Sequence, residues 1–161
     1  MSKPWHWFAV AVAIVVADQV TKAVVLSMLA YGQRIEVAPF FNLVLVFNKG
    51  AAFSFLADAG GWQKWLFAGF ALAAAVVVSV VIVRNPYKRM FCTGLALILG
   101  GAVGNLIDRL RFGHVVDFLD FHAAGWHWPA FNVADSGITL GAVVLILESF
   151  IHSEERARAS S

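Results

Sequence analysis

Asp117 and Asp135 are the two acids of this sequence best placed to do chemistry. Val115, Val116 and Phe118 surround the first, Val133 and Ala134 precede the second, and neither has an adjacent Lys or Arg. A carboxylate among apolar groups has a raised pKa, because lost hydration disfavours its charged form. Two such acids brought together share one proton instead of both ionising. The ionised member can then activate a water while the neutral one protonates a leaving group. Taken alone, the residues equally allow two solvated acids at a membrane boundary. Spacing defines a second set. Asp18 and Lys22 stand four apart, acid first, the favourable order for a helical ion pair. Asn105, Asp108 and Arg109 fall at i, i+3 and i+4 and share a helix face, as Asn132 and Asp135 would if a helix begins that early. These residues read either as snorkelling charges and ties between helices or as intramembrane functional groups.

Other chemistries have weaker support. His114, His122 and His127 lie near Asp117 and Asp120, but His122 and His127 are five apart, off the shared face of two-His zinc motifs. Interfacial histidines account for them better than a metal site. The lone Cys92 excludes an intramolecular disulfide and reads as a small buried residue. There is no Gly-x-Ser-x-Gly elbow to supply a serine nucleophile. Gly100, Gly101 and Gly104 lie in an apolar helix with no Lys after them, which points to close helix packing and not to a phosphate loop.

The elements that must position these groups belong to a chain of 161 residues, 60% hydrophobic and 14% charged. A soluble domain is roughly 45–50% apolar and about 25% charged, and a small domain has too much surface to hide such an excess. Soluble, disordered and collagen-like classes are therefore excluded. A net charge of +2 without a Lys/Arg run leaves no phosphate-tracking surface, so nucleic acid is not an expected partner. A spanning helix needs about 20 mostly apolar residues. Four stretches qualify: Trp5 to Tyr31, interrupted by Asp18 and Lys22; Trp65 to Val83; Met90 to Ile107; and Ser136 to Ile151. Lys3 and the apolar run Trp7 to Ala17 resemble a secretory signal, but apolar character resumes after Lys22, so the segment is read as a retained span. One integral-membrane domain, 1–161, is expected.

Lys3, Arg84, Lys88, Arg89, Arg156 and Arg158 fall on one side of a four-span arrangement, which makes that side cytoplasmic and places both termini there. At ~1.5 Å per residue, Asp18 lies about 20 Å and Asn105 about 22 Å above the cytoplasmic ends of their helices. Asp135 opens the fourth span from outside and Asp117 sits in the outer connection, so the polar residues gather toward the outer leaflet. Phe40, Phe41 and Leu43 to Phe47 around a lone Asn42 are β-prone, and as a helix the run would reach only about 12 Å. Ile35–Phe47 is accordingly read as one or two strands on the membrane surface. Gly60 and Gly61 precede Trp62 and Trp65, which suit an interfacial belt. With Gly50 they make this connection either a mobile lid or plain turns.

Five runs carry a resemblance: Asp18-Gln19-Val20-Thr21-Lys22, Asn48-Lys49-Gly50-Ala51-Ala52-Phe53, Gly101 to Arg109, Val116-Asp117-Phe118, and Phe131-Asn132-Val133-Ala134-Asp135. In this order they resemble the motif blocks of the lipoprotein signal peptidase (signal peptidase II) family. The resemblance implies an all-α membrane protein of four transmembrane helices with a small extracytoplasmic β-cradle and a short interfacial helix. It implies an aspartic endopeptidase of the bacterial cytoplasmic membrane, active toward the outer leaflet. The implied substrate is a diacylglyceryl-modified prolipoprotein, cut N-terminal to its lipidated Cys. By motif position Asp117 and Asp135 are the implied dyad. Asn48, Gly50, Asn105, Arg109, Asn132 and Ala134 are implied in substrate binding or site support, and Asp18, Lys22 and Asp108 in support. No metal or cofactor is implied, and the expected state is a monomer among membrane phospholipids. The rival readings are a small carrier or channel using Asp18, Lys22 and Arg109, and a membrane metalloprotease.

Overall fold

The computed structural model describes residues 3–49 and 62–159, without the side chains of 63, 64 and 152–159. Gly50, Gly60 and Gly61, and with them the lid reading, lie outside the described residues. The elements run α1 (Trp5–Met28), β1 (Arg34–Ala38), β2 (Phe41–Asn48), α2 (Gln63–Arg84), α3 (Arg89–Phe112), β3 (Val115–Ala123), β4 (Trp126–His127) and α4 (Val133–Ala159). Among the described residues four segments are long and apolar enough to span a membrane: Trp5–Met28, Trp65–Arg84, Arg89–Phe112 and Val133–Ile151. Val12, Val16, Val20 and Val24 of α1, Phe70, Leu72 and Val77 of α2, and Leu140, Ile146 and Leu147 of α4 stay exposed on helix exteriors. Apolar surface on this scale calls for lipid around it.

The four expected spans are all present, with shifted ends. α1 stops at Met28, short of Tyr31, and α3 continues past Ile107 to Phe112. Hydropathy ends a span at its first charges, whereas a helix ends where its backbone finds a cap. For α3 that cap is Gly113, at φ +77°, whose N–H donates to the Arg109 carbonyl at 3.1 Å. Only glycine adopts this left-handed conformation without strain. α4 begins at Val133, three residues before the apolar run at Ser136, because polar Asn132 caps it. That shift decides the geometry of the site.

α3 is the hub of the bundle, packed against α1, α2 and α4. Its glycines permit the approach. A Cβ at Gly101 would run into the Ala134 carbonyl and approach Ile138 Cγ1 to 2.7 Å, and one at Gly104 would come within 2.7 Å of Asp18 Oδ2. Removing side chains at these points brings the polar residues of α1 and the first turn of α4 against the same stretch of α3.

Beyond the helices lies an antiparallel four-stranded sheet in the order β1-β2-β3-β4. Ile35–Phe47 resolves into two strands, β1 and β2, paired Arg34 with Val44 and Ile35 with Leu43. β3 and β4 fall in a segment that had read only as an outer connection. The β-prone run Val115 to His122 was its available signal, obscured by Asp117 and Asp120. β2 pairs with β3 through Phe41–Phe121, Asn42–Asp120 and Val46–Asp117, with an irregularity between Leu43 and Val46. Such a bulge re-aims the strand locally. Val25 of α1 and Leu29, just past its end, pack with Leu45, Val116 and Phe118 in one buried cluster, which seats β3 on the bundle and positions Asp117 against it.

Candidate active site

Asn132 organises the site. It is the N-cap of α4: its Oδ1 accepts the Asp135 backbone N–H at 2.9 Å, while Asp135 Oδ2 accepts the Asn132 backbone N–H at 3.3 Å. This is a reciprocal capping box, with Asn and Asp in the places usually held by Ser/Thr and Glu. The Asn132 amide Nδ2 then donates to Asp117 Oδ1 at 2.7 Å. One fully buried side chain thus joins the two acids, which come from β3 and from the first turn of α4. Asn48 Nδ2, at the end of β2, donates to Asp117 Oδ2 at 3.1 Å, and Asn105 Nδ2, on α3, donates to Asp135 Oδ1 at 2.7 Å. Each carboxylate therefore accepts from two nitrogens.

Asp117 is 2% exposed. Burial, reinforced by the nearby Asp135 charge and only partly offset by Asn48, Asn132 and Lys22, pushes its pKa up from 3.8 to about 7. Asp120, three residues along the same strand, goes the other way. Burial opposes its ionisation too, but hydrogen bonds from Asn42 and His127 outweigh it and hold its carboxyl below the ordinary range. Two acids on one strand, with environments that push their pKa values apart, are marked for different work.

Around the pair lies a second layer. Lys22 Nζ is 2.8 Å from both Asp18 Oδ2 and Asp108 Oδ2, and donates to Asn105 Oδ1 at 3.1 Å. Asp18 Oδ1 accepts the Ala134 backbone N–H at 2.9 Å, and Asp108 Oδ2 accepts that of Val116 at 3.0 Å. Arg109 is half-buried, donates to the Asn105 carbonyl at 3.3 Å and lies over the Phe67 ring at 5.7 Å. Beside Asp135, a groove of about 500 Å³ is lined by Trp128, Phe131, Asp135, Ser136, Thr139 and Leu140.

Of the eleven residues singled out from sequence, ten converge here, and Gly50 lies outside the described residues. Gln19 had no assigned role, yet its Nε2 donates to Asp108 Oδ1 at 2.9 Å, Asp18 Oδ2 at 3.1 Å and the Gly104 carbonyl at 3.2 Å. Its position between Asp18 and Lys22 was the available signal. The histidines face elsewhere: His127 bonds Asp120, His122 stacks on His127 with centroids 4.8 Å apart, and His114 packs on Phe47. Among the described residues no cluster of His, Cys, Asp or Glu suits a metal ion. Cys92 is fully buried and donates to the Asn85 carbonyl.

Residues 10–151 match the family profile described as signal peptidase (SPase) II. The chain belongs to the signal peptidase II family. It is 58% identical over 142 residues to the lipoprotein signal peptidase of Paraburkholderia phymatum, covering 88% of this chain and 86% of that one. The lipoprotein signal peptidase of Burkholderia thailandensis is 54% identical over the same shares of both chains. Two solved bacterial membrane enzymes, determined by the in meso method at 2.3 Å and 1.9 Å, share the fold. The first has a TM-score of 0.82 at 30% identity over 93% of this chain and 90% of its own. The second has a TM-score of 0.81 at 31% identity over 92% and 96%. As a signal peptidase II, the protein is a multi-pass enzyme of the bacterial inner membrane and a peptidase of the aspartic type. That places the chemistry on carboxylates.

Proposed function

We propose that this protein removes the signal peptide from diacylglyceryl-modified prolipoproteins, cutting N-terminal to the lipidated Cys, with Asp117 and Asp135 as the catalytic dyad. The observation that carries the assignment is the Asn132 side chain, which bonds Asp117 with its amide and caps Asp135 with its carbonyl. Asp135 borders the groove and sits at the N-terminus of α4, where the helix dipole favours a carboxylate. It is the ionised member and takes a proton from water as the oxygen attacks the scissile carbonyl. Asp117, more deeply buried and with a pKa near 7, holds the shared proton. It hydrogen-bonds the developing oxyanion and then donates to the leaving amine of the lipidated Cys. Attack forms one C–O bond, collapse breaks the C–N bond, and the proton taken from water restores the pair.

Asn48, Asn105 and Asn132 hold the carboxylates in register, Arg109 supports the site through the Asn105 carbonyl and Ala134 through its backbone beside Asp135, and Gly50 belongs with them by its motif position. Asp18, Lys22 and Asp108 support the site from behind. The chain acts as one integral-membrane domain, 1–161, and as a monomer among phospholipids, without metal, cofactor or nucleic acid. Both termini face the cytoplasm and the dyad lies toward the outer leaflet, a placement that the Lys/Arg distribution supports. Such a depth suits a substrate whose lipid anchors it in that leaflet.

A gel-shift assay with the purified protein and a diacylglyceryl-modified precursor tests the reading. The precursor should be cleaved in the presence of chelator, and the same precursor lacking the lipid should not. Inhibition by chelator would favour a metallopeptidase, and transport without processing would favour a carrier.

A further inference from the structure

Lys22 is 2% exposed and lies in a span, where an ionised amine is costly unless fully compensated. Its compensation reaches unusually far. Both carboxylates that pair with it use a further contact to grip backbone. Asp18 holds the N–H of Ala134, the residue before Asp135, and Asp108 holds the N–H of Val116, the residue before Asp117. Its third contact, Asn105 Oδ1, fixes which way that amide faces and so aims Asn105 Nδ2 at Asp135. Gln19 closes the back of the cluster by donating to both acids. One ammonium on α1 is thereby connected to both dyad-bearing segments, on β3 and on α4, and to one of the dyad's own donors.

We propose that Lys22 is a positioning residue for catalysis: through Asp18, Asp108 and Asn105 it holds the two aspartates in register, and its charge sets the pH range over which they share a proton. The inference rests on the dyad reading and goes beyond a general supporting role. Tying helices together would need only one ion pair, whereas here each partner ends on the amide beside a catalytic acid. A misplacement of about 1 Å at reacting groups can cost about 10²-fold in rate. The charge acts in one direction. Among the described residues the charged groups around the pair are Lys22 and Asp18 of α1 and Asp108 and Arg109 of α3, with only the aspartates themselves from β3 and α4. Removing one of the two cations makes ionisation of the pair harder, so the acidic limb of the rate profile moves to higher pH.

The test is the pH dependence of kcat and KM for lipid-modified precursor cleavage by the full chain in lipid nanodiscs, comparing wild type, Lys22→Met and Lys22→Arg. Lys22→Met should lose about 10²-fold in kcat, with KM little changed and the acidic limb moved up. Lys22→Arg keeps the charge but not the point geometry, so it should keep the wild-type limb while kcat falls. Lys22→Met leaves two buried carboxylates unpaired and is at risk of misfolding. Lys22→Met/Asp108→Asn preserves the cluster's net charge and should also lose kcat. A folded Lys22→Met, or a folded double variant if the single one misfolds, with wild-type kcat would overturn the proposal; so would an unmoved limb in folded Lys22→Met. Asp117→Asn and Asp135→Asn run alongside. If they are inactive while Lys22→Met behaves as wild type, only this inference fails; if they are active, the dyad reading fails.

Discussion

Asp117→Asn should stabilise the protein at alkaline pH while it abolishes cleavage. Asp117 is almost fully buried and its pKa rises from 3.8 to about 7. A carboxyl with a raised pKa costs nothing below its unfolded value. Its cost grows as pH climbs from about 4 to 7 and is constant above, because the unfolded state gives up the proton first. The rise of about 3 units corresponds to about 4 kcal/mol at 1.36 kcal/mol per unit. Asn removes that cost but offers one oxygen where Asp offers two, so either Asn48 or Asn132 loses its acceptor, at about 1–3 kcal/mol. The net gain is about 1–3 kcal/mol above pH 7, or about 2–4 °C in Tm per kcal/mol for a chain of this size. Tryptophan-fluorescence melting in nanodiscs at pH 8 and pH 5 measures it. The variant should melt higher at pH 8, and its advantage should shrink or reverse at pH 5. A variant no more stable than wild type at pH 8, or a difference independent of pH, would refute the view that a buried charge is held there against its solvation.

Four further variants probe the packing and the hydrogen bonds. Asn132→Ala should lose about 0.5–2 kcal/mol as a cap and about 10²-fold in kcat, because both acids lose their common anchor; thermal melts and cleavage rates on one preparation measure the two effects. Gly101→Ala should destabilise by about 1–3 kcal/mol and also reduce activity, since its Cβ meets the Ala134 backbone beside Asp135. Gly32→Ala has open space and only its φ of +78° against it, so it should cost about 1–2 kcal/mol with the folded fraction fully active; equal activity in the two variants would contradict the role given to the α3–α4 contact. Asp120→Ala should destabilise by about 1–3 kcal/mol, as Asn42 and His127 lose their acceptor. Its carboxyl has a lowered pKa, so that contribution is present above the ordinary carboxylate range and fades as pH falls through the folded value, which melting curves from pH 7 to pH 3 would show.

Much of the site was legible because hydrophobicity and charge conflict so sharply in this chain. Asp18, Lys22, Asn105 and Asp108 stood out as polar residues in apolar helices, and helical spacing already put them on shared faces. Asp117 and Asp135 stood out by their apolar neighbours, but nothing local said that they meet. Their meeting depends on the return of β3 against β2 and on the start of α4 at Val133, both long-range outcomes. Span ends were misplaced because hydropathy follows side chains, whereas Asn132 and Gly113 set the ends through backbone hydrogen bonds. β3 went unread because its two acids, Asp117 and Asp120, interrupt an otherwise β-prone run. In the sequence Gln19 is only a neutral neighbour of two charges, and its role comes from the approach of α3, which brings Asp108 within reach of an amide that also donates to Asp18.

The central claim is that Asp117 and Asp135 act as one unit, and single-turnover cleavage of a diacylglyceryl-modified precursor tests it most directly. Asp117→Asn and Asp135→Asn, each shown to be folded by melting, should both leave the precursor uncleaved at every pH from 5 to 9. Measurable cleavage by either variant at any pH, at a rate near that of wild type, would contradict the account.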